Sequence, residues 1–119
     1  MSINEFNEPK EYTNAKAIMA LFTRLILLDP GTIQTHPDMG VGLVSRYRYT
    51  LEGSEMDLQA DIRRQIDTYL PDFRGAEVIV RMVEHSYRIG ITFQNYIFAF
   101  LYDTEENTLV NKYTRLADL

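Results

Sequence analysis

Residues 77–102 read EVIVRMVEHSYRIGITFQNYIFAFLY. Throughout this stretch the hydrophobic period is two. Val78, Val80 and Met82 alternate with Ile79, Arg81 and Val83, and Tyr87, Ile89, Ile91 and Phe93 alternate with Arg88, Gly90 and Thr92. Tyr96, Phe98, Phe100 and Tyr102 then alternate with Ile97, Ala99 and Leu101. A period of two belongs to a pleated strand, which sends successive side chains to opposite faces. His85-Ser86 and Gln94-Asn95 leave room only for tight connections, so three antiparallel strands in a meander are expected. Glu105-Glu106-Asn107 marks a further turn before a last extended segment, Leu109 to Leu116.

Upstream the period is helical. Ile18, Leu21, Phe22, Leu25 and Leu28 recur at three- and four-residue steps behind an N-cap at Thr13 or Asn14, and Asp29-Pro30-Gly31 supplies the stop. Residues 29–42 hold two prolines and three glycines and read as turns around a short extended piece. Val41 to Leu51 reads two ways. Leu43, Tyr47 and Leu51 fit a helical stripe, while Arg46, Arg48 and Tyr49 suit a loop facing a partner. A short helix followed by a turn at Glu52-Gly53 is the favoured reading. Ser54, with Asp57 three residues on, opens the clearest helix. Its stripe is Leu58, Ile62, Ile66, Tyr69 and Leu70, and Asp61, Arg63, Arg64 and Asp67 on the opposite face are expected to be solvated. Pro71 ends it. The fold class is therefore α+β, with N-terminal helices packed on a three- to four-stranded, mainly antiparallel sheet. Residues 1–12 are expected to form a flexible arm and residues 13–119 a single domain.

Composition narrows the function. A chain of 119 residues suffices for one domain. Twelve basic against seventeen acidic residues give a net charge of −5, which provides no bulk attraction to nucleic acid or to an anionic membrane surface. Without cysteine there is no disulfide, thiolate metal site or Cys nucleophile. The polar first residues do not read as a signal peptide, and the apolar runs are too short to span a bilayer. A soluble domain made in a cytoplasm, with no cofactor or metal, is expected.

Few residues read as chemistry. His36-Pro37-Asp38 spells the tripeptide of the J-domain co-chaperones, but the residues before it are not helical, and a turn is the better reading. Glu52, Glu77 and Glu84 have no spacing that makes any two converge as a glycosidase pair would. His85 reads as a turn residue. No nucleophile motif, phosphate-binding loop or metal-ligand spacing is present. The sheet is more informative, because both of its faces carry apolar residues. Either both are covered within the domain, the second by residues 29–51, or one face or edge is completed by another chain. Nine of the twelve basic residues are arginine and eight residues are tyrosine, two types enriched at protein interfaces.

The stretch from Leu27 to Leu43, LLDPGTIQTHPDMGVGL, resembles the signature of the baseplate wedge and sheath-initiator family of contractile tails, found in phages, R-type pyocins and type VI secretion baseplates. Leu27, Leu28, Gly31, Pro37, Gly40 and Leu43 match its first half, with Gly31, Pro37 and Gly40 as structural turn positions. The helix from Ser54, Pro71 and the strand from Ala76 match the second half in order and spacing. Where the family often carries Glu-Pro-Arg this chain has Leu70-Pro71-Asp72, with Arg74 two residues on as the substitute for the basic group.

The resemblance implies a structural subunit of the virion tail baseplate, made in the host cytoplasm and present in six copies. Its partners would be baseplate wedge proteins and the tail sheath protein, with no nucleic acid and no membrane. Leu70, Pro71, Asp72 and Arg74 are its expected wedge contacts. The segment with Leu109, Val110, Tyr113 and Leu116 is the expected edge for strand addition by the first sheath ring, and the arm is a second candidate contact. The alternatives are a tail-associated peptidoglycan hydrolase, which some relatives have been called, and a host-factor adaptor.

Overall fold

The computed structural model describes residues 7–49 and 54–118, with side chains from residue 14 onward. Helix α1 runs Asn7–Leu27 and so starts six or seven residues before the expected cap at Thr13 or Asn14. Its added turns take in half of the expected arm, and Pro9 falls in the first turn, where a missing N–H costs nothing. Residues 1–6 and the Glu52-Gly53 turn lie outside the described residues. The buried stripe of α1 is Ala15, Met19, Phe22, Leu25 and Ile26, while Leu21 and Leu27 remain exposed. The seam is thus rotated from the expected one toward Met19 and Ile26.

Residues 29–42 form consecutive turns with no strand, against the short extended piece expected there. Their amides close the end of α1. Val41 N–H donates to Leu25 O at 3.0 Å and Gly42 N–H to Leu28 O at 2.9 Å, satisfying carbonyls that a helix C-terminus leaves open. Helix α2, Leu43–Tyr47, buries Leu43 and Tyr47. Helix α3, Ser54–Tyr69, buries Leu58, Ile62 and Ile66 as its pattern demands. A 3-10 turn, Pro71–Phe73, then redirects the chain. It drops Phe73 edge-on between Phe22 and Phe93, at centroid distances of 5.4 and 5.1 Å.

Strands β1 (Glu77–Val83), β2 (Ser86–Phe93), β3 (Tyr96–Asp103) and β4 (Thr108–Arg115) form one antiparallel sheet in the order β1-β2-β3-β4. The first connection is Glu84-His85, one residue earlier than expected, because Ser86 already pairs with Val83. Glu84, Gln94 and Asn107 hold positive φ at the three turns. Val78, Val80, Tyr87, Ile89, Ile91, Phe98, Phe100 and Tyr102 are the inner face, fully buried under the helices. A buried side chain of this size contributes roughly 1.5–3 kcal/mol, so this layer dominates stability. The 29–49 region lies on the same side. Tyr47 meets Tyr87 edge-on at 6.4 Å, and Arg48 Nε donates to Thr104 O at 3.0 Å. Among the described residues the outer face is uncovered: Ile79, Val83, Leu101 and Val110 are all exposed.

Candidate functional site

Every strand hydrogen-bonds two neighbours except those at the sheet rims, and β4 is one rim. The expected edge residues divide by parity along it. Leu109 and Tyr113 point inward, Tyr113 against Tyr96 and Phe98 at 6.3 Å from each. Val110 points outward and is 59% exposed. Leu116 lies past the strand, in the 3-10 turn Leu116–Asp118, with its amide donating to Asn95 O at 2.7 Å. Asn111 Nδ2 donates to Thr23 Oγ1 at 3.1 Å, so α1 braces the inner side of β4.

The second group lies at the end of α3. Leu70 is half-buried against the core, while Pro71, Asp72 and Arg74 are exposed. The Arg74 guanidinium donates to Asp67 O at 3.3 and 3.4 Å, which holds it against the last turn of α3. Leu70 also borders a surface groove of about 550 Å³ whose other apolar walls include Leu21, Leu27, Leu28, Ile33 and Met39.

The turn residues form one joint. Gly31 N–H donates to Pro37 O at 2.7 Å, and Gly31 has φ of +93°. Gly40, at φ +120°, sits so close to α1 that a Cβ would lie 2.2 Å from Leu28 O. Its amide donates to the buried Gln65 Oε1 at 2.7 Å, and Gln65 Nε2 donates to Asp38 O at 2.9 Å. Gln65 thereby ties the loop to α3. His36 stacks edge-on with Tyr69 at 5.8 Å, and the His36-Pro37-Asp38 tripeptide lies in these turns rather than between two helices.

Asp61 is buried, not solvated as its place in the α3 pattern suggests. α2 packs over it. Arg46 Nη1 reaches Asp61 Oδ2 at 2.7 Å, Arg64 Nη2 reaches Oδ1 at 2.5 Å, and the Tyr47 hydroxyl donates to Oδ2 at 3.1 Å. Burial, then the Asp61 charge and hydrogen bond, push the Tyr47 phenol up to about 12. Asp57 and Asp61 both border a cavity of about 510 Å³, but the Asp61 oxygens are taken by this network, which makes it a joint between α2 and α3. Glu77 and Glu84 are exposed at opposite ends of β1, and His85 lies 3.5 Å from Glu105. Among the described residues no three His, Cys, Asp or Glu side chains gather as a metal site would require, and no helix is long and apolar enough to cross a membrane.

The outer sheet face carries three cations, Arg81, Arg88 and Lys112, which belong to none of the expected contact groups. Their signal was available: each falls on the outward parity of its strand. In comparisons with protein-family models, curated proteins and solved structures, the chain has no significant match.

Proposed function

We propose that the chain is a structural subunit of a contractile-tail baseplate, joining wedge proteins to the first ring of the tail sheath. The observation that supports this best is β4: an edge strand of eight residues with no neighbour on one side among the described residues. Backbone groups along a sheet rim can receive an added strand in fixed register, and Leu109 and Tyr113 anchor this strand to the core so that the template is rigid. The exposed Pro71, Asp72 and Arg74, next to the groove at Leu70, are the proposed wedge contact. Among the described residues the Asp61 carboxylate is held by Arg46 and Arg64, and Glu77 and Glu84 stand at opposite ends of β1, an arrangement that favours a scaffold over a hydrolase.

The test mixes the purified chain with its sheath and wedge proteins at native salt. The expected result is a complex that is lost on deleting residues 109–119. Because that deletion also removes Leu109 and Tyr113 from the core, it is paired with the full-length double variant Val110→Asp and Leu116→Asp, which alters exposed side chains only. No complex with the intact chain, or sheath assembly indifferent to both variants, overturns the proposal.

A further inference from the structure

Strand register sets the middle of the outer face as two rungs across all four strands. Ile79, Gly90, Ala99 and Lys112 form one, and Arg81, Arg88, Leu101 and Val110 form the next. Together they border a shallow trough of about 440 Å³. Its low floor is Gly90 and Ala99, and Ile79, Leu101 and Val110 stand around it. Four strands at ordinary spacing make the face about 14 Å wide, room for one helix about 10 Å across.

Two features of this trough have no explanation among the described residues. The first is Gly90. It lies in the interior of β2, where glycine weakens a strand, and its φ is not in the left-handed region. A Cβ added there meets nothing within 4 Å. Among the described residues neither conformation nor crowding calls for glycine, and close approach of another body is a physical reason for one. The second is charge. Arg81 and Arg88 are direct cross-strand partners, and like charges so placed repel. Among the described residues no acid forms a salt bridge with Arg81, Arg88 or Lys112. The acids of this face, Glu77 and Asp103, stand on its outer rungs, and Asp103 Oδ1 already accepts the amides of Glu105 and Glu106.

The occupant follows from these features. A segment lying on a face, unlike one added at an edge, receives no backbone hydrogen bonds from the sheet and must satisfy its own, as a helix does. It must be apolar where it meets Gly90 and Ala99, and acidic where it meets the cations. A second copy docked face to face would set arginine against arginine, and a nucleic acid would bring phosphates onto an apolar floor. We propose that the outer face docks an amphipathic helix of another protein, with its apolar ridge over Gly90 and Ala99 and flanking carboxylates on Arg81, Arg88 and Lys112. The inference does not rest on the tail-baseplate reading.

The test is an amide chemical-shift titration of the full chain with two synthetic 18-residue stapled helices. They share one leucine stripe and differ only in flanks of glutamate or lysine. The glutamate-flanked helix should shift the amides of Ile79, Gly90, Ala99, Leu101 and Val110, at least tenfold more tightly than the lysine-flanked one. In the double variant R81E and R88E that preference should reverse, a result that misfolding does not produce. Gly90→Val should fold at least as well as the parent and bind at least tenfold more weakly. No shift with either helix at millimolar concentration, equal binding of both, shifts confined to the Leu21–Leu70 groove, or undiminished binding by Gly90→Val overturns the proposal. So does a concentration-dependent dimer that buries this face. Failure of sheath binding leaves the proposal standing, and loss of helix binding leaves the β4 edge untouched.

Discussion

Replacing Gly40 with alanine asks the loop between α1 and α2 to do two things it cannot do together. The backbone would have to keep φ at +120°, a region a side chain rarely adopts, and the new methyl would have to share space with Leu28 O, 2.2 Å away. Holding a non-glycine residue in such a conformation costs about 1–3 kcal/mol. Relief of the clash means lifting the loop from the end of α1. That movement breaks the bonds from Val41 to Leu25 O, from Gly42 to Leu28 O and from Gly40 to Gln65, each worth about 1 kcal/mol. Because some strain is released as the bonds are lost, the sum is roughly 3–5 kcal/mol, a large fraction of the 5–15 kcal/mol typical of a whole domain. For a chain of this length the melting temperature should fall by about 10–20 °C. Gly31 is the internal control. It has positive φ but nothing within 4 Å of a built Cβ, so Gly31→Ala carries conformational strain alone and should cost about 1–2 kcal/mol. Paired urea and thermal melts followed by circular dichroism rank the two. If Gly40→Ala is no worse than Gly31→Ala, or lies within about 0.5 kcal/mol of the parent, the inference from close approach is wrong.

Two further outcomes are expected. Gln65→Leu should destabilise by about 1–3 kcal/mol, since it strands the buried Gly40 amide without a partner, and urea melts measure it. Tyr47 supplies a pH signature. Its phenol titrates near 10 unfolded and about 12 folded, so the stabilisation is whole below pH 10 and drains away as pH climbs to 12. At pH 11 the parent should have lost about 1.4 kcal/mol relative to pH 8, a loss that Tyr47→Phe does not share, and denaturant midpoints of both proteins at the two pH values check it.

Much of this fold is written in short-range pattern. The strand parities of residues 77–102 survive intact because a half-buried sheet enforces them at every position, and the stripe of α3 survives for the same reason. The losses are where a distant segment decides. Nothing local says that α2 will lie over Asp61, so a carboxylate on the polar side of α3 reads as solvated until Arg46 and Tyr47 arrive from elsewhere. Phe73 is invisible as a core residue because a three-residue turn has no period. The seam of α1 rotates toward Met19 and Ile26 because Phe98 and the loop at Val41 choose its face, whereas spacing alone also permits Leu21. Arg81, Arg88 and Lys112 had the correct parity in the sequence, but their convergence required the cross-strand register.

The edge and the face do not compete for the same groups. Along β4 the backbone N–H and C=O lie in the plane of the sheet, and the Val110 and Lys112 side chains stand normal to it. A strand added at the edge would bond to the first set and pack against only the outer flank of Val110, and a helix on the outer face would lie over the second. Val110 and Lys112 belong to the rim strand as well as to the trough, so an added strand would lengthen both rungs and raise the wall beside them. The two contacts are therefore compatible and, if coupled, coupled in the favourable direction. The Arg81–Arg88 pair sits on the opposite half of the sheet, too far from β4 for its charge to alter backbone pairing there. Reversing that pair should change helix preference and leave strand addition as it was.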